Sequence, residues 1–417
     1  MIPNSALTIE AKEYGRRLMS GCDEPMIFHC NYYNYWLQKN LLINAEFGMA
    51  SAIRDAATVQ GYQTAHALVD KAAVTTAEAV MAAAAVVYAR QGFGTLNFTN
   101  TTAQGGLVTA PSSHYGQCLF SSCKGDFTQA QNLFDRGFAA GVAAAAFDLP
   151  AGSFSSELEA CHSLGNKEGL FRLKRRPVPQ NFFSACGPGL GSAKRKSPPP
   201  PWTETNVDEA AIHQALAGLD FSGNEEGLIP RFGVMLTDHF ANFYNRISFH
   251  FLEVLEDTGL REVAEELLVE AGHRCAFNTF GGIMISPEWQ AVVQPMCKTP
   301  EDWVHGIVAV INTFGWGTWR VHALTPERLV VHIYDDYESR GYIGMYGTAS
   351  HPVNFLATGG AAGIMNLIYT GHISQAPVLD NDFYLRIFEA KDGYHATPTQ
   401  SMAMGAPFTE IVVERQK

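Results

Sequence analysis

What most restricts the fold of this chain is that it is written twice. The segment "SAKRKSPPPPWTETN", Ser192 to Asn206, divides the 417 residues. Four consecutive prolines cannot continue a helix or a central strand and favour an extended spacer. On each side an amphipathic helical pattern comes first, then a loop with a proline (Pro25, Pro230), then a His-aromatic-Tyr-Asn segment. That segment is "MIFHCNYYN" before the spacer and "MLTDHFANFYN" after it. Aligning Tyr33-Asn34 on Tyr244-Asn245 also brings Gly61 onto Gly272, both separations being 211. "GFGTL" (Gly92 to Leu96) then matches "GWGTW" (Gly315 to Trp319), "FAAGVAAAAF" (Phe138 to Phe147) matches "ATGGAAGIMN" (Ala357 to Asn366), and "PVPQ" (Pro177 to Gln180) matches "TPTQ" (Thr397 to Gln400). Matches in one order, with gaps where loops belong, predict a duplication. The expected units are residues 1–192 and 207–417, joined by a Pro-rich linker at 193–206.

Each unit reads as helix, longer helix, alanine- or glycine-containing helix, then strands. Strand alternation is plainest in "GWGTWRVHAL", "RLVVHIYDD" and "FYLRIFEAKDG". The expected class is α+β, with helices on one side of a mostly antiparallel sheet in each unit and the two units arranged as an internal pseudo-dimer. A composition of 47% hydrophobic and 17% charged residues supplies sizeable cores. A net charge of −12 argues against a dedicated nucleic-acid or anionic-membrane surface. The basic run from Leu173 to Ser197 borders the spacer and reads as a solvated face. The first residues read as an amphipathic helix, not a secretory leader, and "AVMAAAAVVYA" is too short to span a membrane. Eight scattered cysteines fit reduced thiols, so a cytoplasmic location is expected.

The densest chemistry lies in "FHCNYYNYWLQ", Phe28 to Gln38. Read as a helix, it places His29 with Tyr33, Cys30 with Asn34, and Tyr32 with Trp36 on shared faces. Three readings stand: a packing helix, a ligand-orienting wall, or a catalytic or metal-binding group. The candidate catalytic residues are His29, Cys30 and Tyr33, because imidazole, thiol and phenol can move protons or attack a substrate. Candidate ligand contacts are Phe28, Tyr32, Asn34, Trp36 and Phe93, with His239, Tyr244, Asn245 and Trp316 from the second unit. His114 and Cys118, four residues apart, are candidate metal ligands with Cys161. His322 and His332 fall on expected strands and read as structural. No phosphate loop, nucleophile elbow or H-E-x-x-H signature is present.

The glycine-flanked strands, the small-residue helix and the acidic strand ending in a turn resemble the 4-vinyl-reductase-type domain. It occurs in proteins described as hydrocarbon-binding and in sensory modules of phenol-responsive bacterial activators, and is similar in fold to vesicle-tethering subunits and haem nitric-oxide sensors. The resemblance covers roughly residues 26–175 and 232–395. It implies a closed, mostly apolar cavity between helices and sheet holding a small hydrophobic or aromatic molecule. The family's terminal Glu-x2-Cys-x3-Gly-x3-Cys turn, which binds zinc in the phenol sensors, is only partly matched. Cys161 and Gly165 agree, but Gly169 replaces the second cysteine; in the second unit Glu389 and Thr397 stand in the cysteine positions. Zinc, iron and haem are therefore candidate cofactors without a complete ligand set. The resemblance implies a sensor, carrier or accessory protein of an aromatic or natural-product pathway. The alternative is an enzyme on the same scaffold, possessing a His/Cys/Tyr cluster with or without a metal and acting on an aromatic or tetrapyrrole-like substrate. Expected partners are the small ligand and a protein partner or second copy of the chain, with no nucleic acid and no membrane.

Overall fold

The computed structural model describes residues 9–13, 16–19, 24–72, 74–117, 132–180, 182–183, 199–203 and 205–416. Two four-stranded antiparallel sheets carry the same strand order. In the first half it is β4 (Asn97–Thr102), β5 (Gly105–Ala110), β7 (Gly169–Arg175), β6 (Phe154–Ala160). In the second it is β10 (Thr318–Thr325), β11 (Arg328–Tyr334), β13 (Thr409–Arg415), β12 (Tyr394–Gln400). The mixed α+β class and its repeated units are thus observed. Among the described residues no helix is long and apolar enough to cross a membrane.

A third sheet joins the halves. Its five strands run β1 (Ile9–Glu13), β2 (Arg16–Met19), β3 (Glu24–Cys30), β9 (Val234–Phe240), β8 (Ile229–Arg231). β3 of the first half pairs antiparallel with β9 of the second, Phe28 opposite Asp238 and His29 opposite Thr237. Each half also lays its glycine-flanked turn on the other half's strand. The Phe28 amide donates to Phe314 O at 2.9 Å, and the Asp238 amide donates to Gln91 O at 2.9 Å. Gly92 and Gly315 both adopt φ +87°, and a Cβ there would strike Leu236 O and Met26 O respectively. Only glycine allows that crossing.

Helix α1 (Asn31–Leu41) follows β3 directly, then α2 (Met49–Ala72) and α3 (Ala77–Arg90); α4 (Leu133–Ala146) follows β5. In the second half α5 (Glu209–Ala217) precedes β8, α6 (Ala241–Glu256) follows β9, and its other longer helices are α7 (Arg261–Cys275), α8 (Pro300–Ile311), α9 (Tyr337–Tyr346), α10 (Phe355–Met365) and α11 (Asn381–Phe388). The small residues of α4 and α10 serve close helix contacts. A Cβ at Gly141 would overlap Thr58 O of α2, and one at Gly359 would overlap Val269 O of α7.

These contacts revise the sequence alignment. Gly141 and Gly359 are equivalent, a separation of 218 where the sequence match of Phe138 with Ala357 implies 219. Strands β3 and β9 start 210 residues apart, so His29 corresponds to His239, and Tyr33 to Phe243 instead of Tyr244. "TPTQ" lies in β12, whose counterpart is β6, 240 residues earlier; "PVPQ" follows β7 and is unrelated. By the same spacing Cys161 corresponds to Ser401, not Glu389.

Three expected elements differ in kind. Residues 9–13 and 16–19 form β1 and β2, not a helix, because alternation of period two also suits a hairpin onto β3. His29 and Cys30 end a strand, since pairing with β9 claims their backbone groups; the helix begins at Asn31. "FYLRIFEA" is helical: the Asp380 side chain caps it from the amide of Phe383 at 2.8 Å, and Phe383, Tyr384 and Ile387 share its buried face.

Candidate functional site

Because β3 and β9 each run straight into a helix, His29 and His239 sit at the midline of the molecule. Both are fully buried. The His29 ring stacks on Tyr33 at 4.0 Å between centroids and lies 4.8 Å from Tyr244 and 5.0 Å from Trp316. His239 lies 4.4 Å from Tyr244 and 4.8 Å edge-on to Phe93. Trp316 donates its Nε1–H to Phe28 O at 3.0 Å. The sequence candidates His29, Tyr33, Asn34, Phe93, His239, Tyr244 and Trp316 therefore do converge, in a cluster drawn from both halves.

Within it runs a hydrogen-bond chain. Tyr244 Oη donates to Asn34 Oδ1 at 2.5 Å, and Asn34 Nδ2 lies 2.9 Å from His114 Nε2. With Oδ1 occupied by the tyrosine, the amide Nδ2 donates to His114 Nε2. The imidazole proton then sits on Nδ1, which has no partner among the described residues. Burial pushes His114 down to about 3 and holds His29 and His239 well below their usual range, so all three are neutral at pH 7. A parallel link joins Tyr115 Oη to His239 Nε2 at 2.9 Å, with His239 Nδ1 3.3 Å from Phe240 O.

Carboxylates flank the cluster. Burial raises Asp135 to about 6, although Ser113, Tyr88 and Asn132 all hydrogen-bond to it. Burial also raises Glu338 to about 8, against the Leu356 and Ala357 amides at the start of α10 that donate to it at 3.0 and 3.2 Å.

Against this cluster opens a cleft of about 560 Å³ at the seam between the halves. Asn31, Tyr32, His114 and Gln117 of the first half face the β8–β9 hairpin, residues 230–235, and Pro287-Glu288 of the second. The hairpin turns on Phe232 at φ 55° and Gly233 at φ 70°. Positive φ at a buried phenylalanine is strained, and such strain concentrates at binding sites. The resemblance implied a closed cavity between helices and sheet within each half; this cleft lies between the halves. Within the first half, Tyr88, Phe93, Phe134 and Phe138 pack ring against ring.

Other candidates lie apart. Phe28 packs between Phe221 and Phe314, and Asn245 donates to Tyr337 O at 3.1 Å, both in structural roles. Trp36 is half-buried beneath Arg274, whose guanidinium carbon is 3.7 Å from its ring. Cys118 lies outside the described residues. Cys161 is buried, with its sulfur accepting from Ser163 Oγ at 3.1 Å. Among the described residues no three His, Cys, Asp or Glu side chains form a metal-binding group, so the proposed set of His114 and Cys161 is not completed there.

Cys30 sits elsewhere in the cluster, facing two residues that sequence reading missed. Thr279 Oγ1 lies 2.7 Å from its sulfur, and Cys275 is 3.6 Å from Thr279 and 3.9 Å from His29 Nδ1. Cys275 and Thr279, four residues apart, share one face where α7 runs on into a π-helical turn, Ala276–Phe280, and the fold sets that face against Cys30. Nothing in the sequence marks this. The same holds for the hairpin at 230–235, which is legible as a turn but not as a cleft wall.

No family model matches the chain, and no curated protein matches it. Among solved structures it is similar to the crystal structure of the phenol-responsive sensory domain of the transcription activator PoxR with phenol. The match has 14% identity, covers 49% of this chain and 89% of that chain, and has a TM-score of 0.34.

Proposed function

We propose that the chain binds one small hydrophobic or aromatic molecule in the cleft between its halves, as a sensor, carrier or accessory component built from 4-vinyl-reductase-like units. The observation that carries this is the cleft itself. Its volume, about 560 Å³, falls in the range of small-molecule sites. Tyr32, Phe232, Val234, Met235 and two prolines supply apolar contact. His114 supplies the orienting group: a neutral imidazole whose Nδ1–H has no acceptor, held in that tautomer by Asn34 and Tyr244. A ligand oxygen that accepts this proton, from a phenol, a carbonyl or an ether, would satisfy a donor that otherwise stays unpaired.

Tyr32 and His114 are the proposed contacts, with His239, Tyr244 and Trp316 holding the wall behind them. Differential scanning fluorimetry with phenol, p-cresol, indole and benzaldehyde tests the reading. Ligand at a hundred times its Kd should raise the unfolding free energy by about 2.7 kcal/mol. An unchanged midpoint with every compound at millimolar concentration would overturn it, as would an equal gain in His114→Phe.

A further inference from the structure

We propose that Cys30 and Cys275 form an oxidisable dithiol between the two halves, which closes to a disulfide when a small hydroperoxide reaches it. The proposal is independent of the ligand reading. The two sulfurs share one threonine hydroxyl, Thr279 Oγ1 lying 2.7 Å from Cys30 Sγ and 3.6 Å from Cys275 Sγ; Cys30 stands at the β3–α1 junction of the first half and Cys275 at the end of α7 in the second. Both are fully buried. Buried cysteines are ordinarily inert because the thiolate, the reactive form, is disfavoured away from water.

Here the surroundings reverse that. Cys30 occupies the N-cap of α1, the electropositive end of that helix. Thr279 donates its hydroxyl to the Cys30 sulfur at 2.7 Å. Burial pushes both thiols up, but hydrogen bonding around Cys30, with the Thr279 hydroxyl at 2.7 Å, holds it below its usual value, while Cys275 is pushed well above its own. One attacking thiolate beside one protonated thiol is the arrangement that thiol oxidation and resolution require. His29 Nδ1, 3.9 Å from Cys275 Sγ, is a neutral acceptor for the second proton.

The chemistry balances. The Cys30 thiolate attacks the terminal peroxide oxygen, the O–O bond breaks, and the alcohol or water leaves with a proton. The Cys275 sulfur then attacks the resulting sulfenic acid. An S–S bond forms, the S–O bond breaks, and hydroxide leaves as water with the Cys275 proton. Two thiols are oxidised and one hydroperoxide is reduced. A small neutral oxidant suits the location, since Asn31, next to Cys30, lines the cleft. The bond would tie the cleft's first-half wall to α7 of the second half.

The test is to treat the full-length protein with hydrogen peroxide, unfold it in alkylating agent, digest it and map the peptides by mass spectrometry. The expected product is a Cys30–Cys275 cross-linked peptide, absent from Cys30→Ser and Cys275→Ser. Thr279→Val should form it about tenfold more slowly, because a hydrogen bond to the thiolate is lost. Near-UV circular dichroism establishes that each variant is folded; for one that is not, the Ala substitution replaces it. Recovery of both cysteines as alkylated thiols, or cross-links that persist in the single variants through other cysteines, would overturn the proposal.

Discussion

Replacing Asn34 by alanine probes the seam where it is most exposed to a single change. Asn34 is 1% exposed and bonds Tyr244 Oη at 2.5 Å and His114 Nε2 at 2.9 Å. Its loss leaves His114 with neither ring nitrogen paired, because Nδ1 already has no partner. A stranded buried group costs about 1–3 kcal/mol, and the tyrosine hydroxyl, which has Tyr115 in reach, costs less. The expected loss is roughly 2–4 kcal/mol. Tyr244→Phe removes one of the same bonds and should cost roughly 1–2 kcal/mol alone. Since the two changes share a bond, Asn34→Ala/Tyr244→Phe should fall short of the sum by about 1 kcal/mol. Urea unfolding of the four proteins reads this directly. Additivity within about 0.5 kcal/mol, or a single-variant loss below about 0.5 kcal/mol, would refute the chain of bonds that fixes the His114 tautomer.

Stability should peak near neutral pH. His29, His114 and His239 have folded values below the unfolded 6.5, so their contribution is complete above that value and lost as pH falls. Each costs about 2 kcal/mol by pH 5. Glu338, raised to about 8 from 4.5, works the other way, its contribution fading as pH rises through 8. Denaturant midpoints from pH 5 to 9 should trace a maximum, and Glu338→Gln should flatten the alkaline limb; a monotonic profile would contradict the assignment. Separately, Gly141→Ala, whose Cβ meets Thr58 O, should cost about 1–3 kcal/mol, whereas Gly218→Ala, with its nearest contact at 3.4 Å, should be near neutral by thermal melt.

Much of the architecture is legible in the residues because it rests on local rules. The paired glycine-flanked turns, the small-residue helices and the alternating strands β10 and β11 each carry their own signature. What the sequence conceals is what depends on the other half. His29 and Cys30 look helical by spacing, yet β9, some two hundred residues away, recruits them into a strand. Registers were misread by a residue or more because insertions, including α11 in the second half, shift the repeat without altering its motifs. The convergence of His29, Asn34, His239 and Tyr244 follows from the His-Tyr-Asn motif recurring at a midline. His114 joins them only through the fold, and so do Cys275 and Thr279, whose shared helix face meets Cys30 of the other half.

The stoichiometry of binding tests the central claim most directly. A cleft made once, from unlike residues of the two halves, predicts that calorimetric titration with a ligand identified by fluorimetry gives one molecule per chain, and that Met235→Trp, which fills the cleft, abolishes the heat. Two molecules per chain, or a titration that Met235→Trp leaves intact, would place the ligand inside the repeated units and contradict the account.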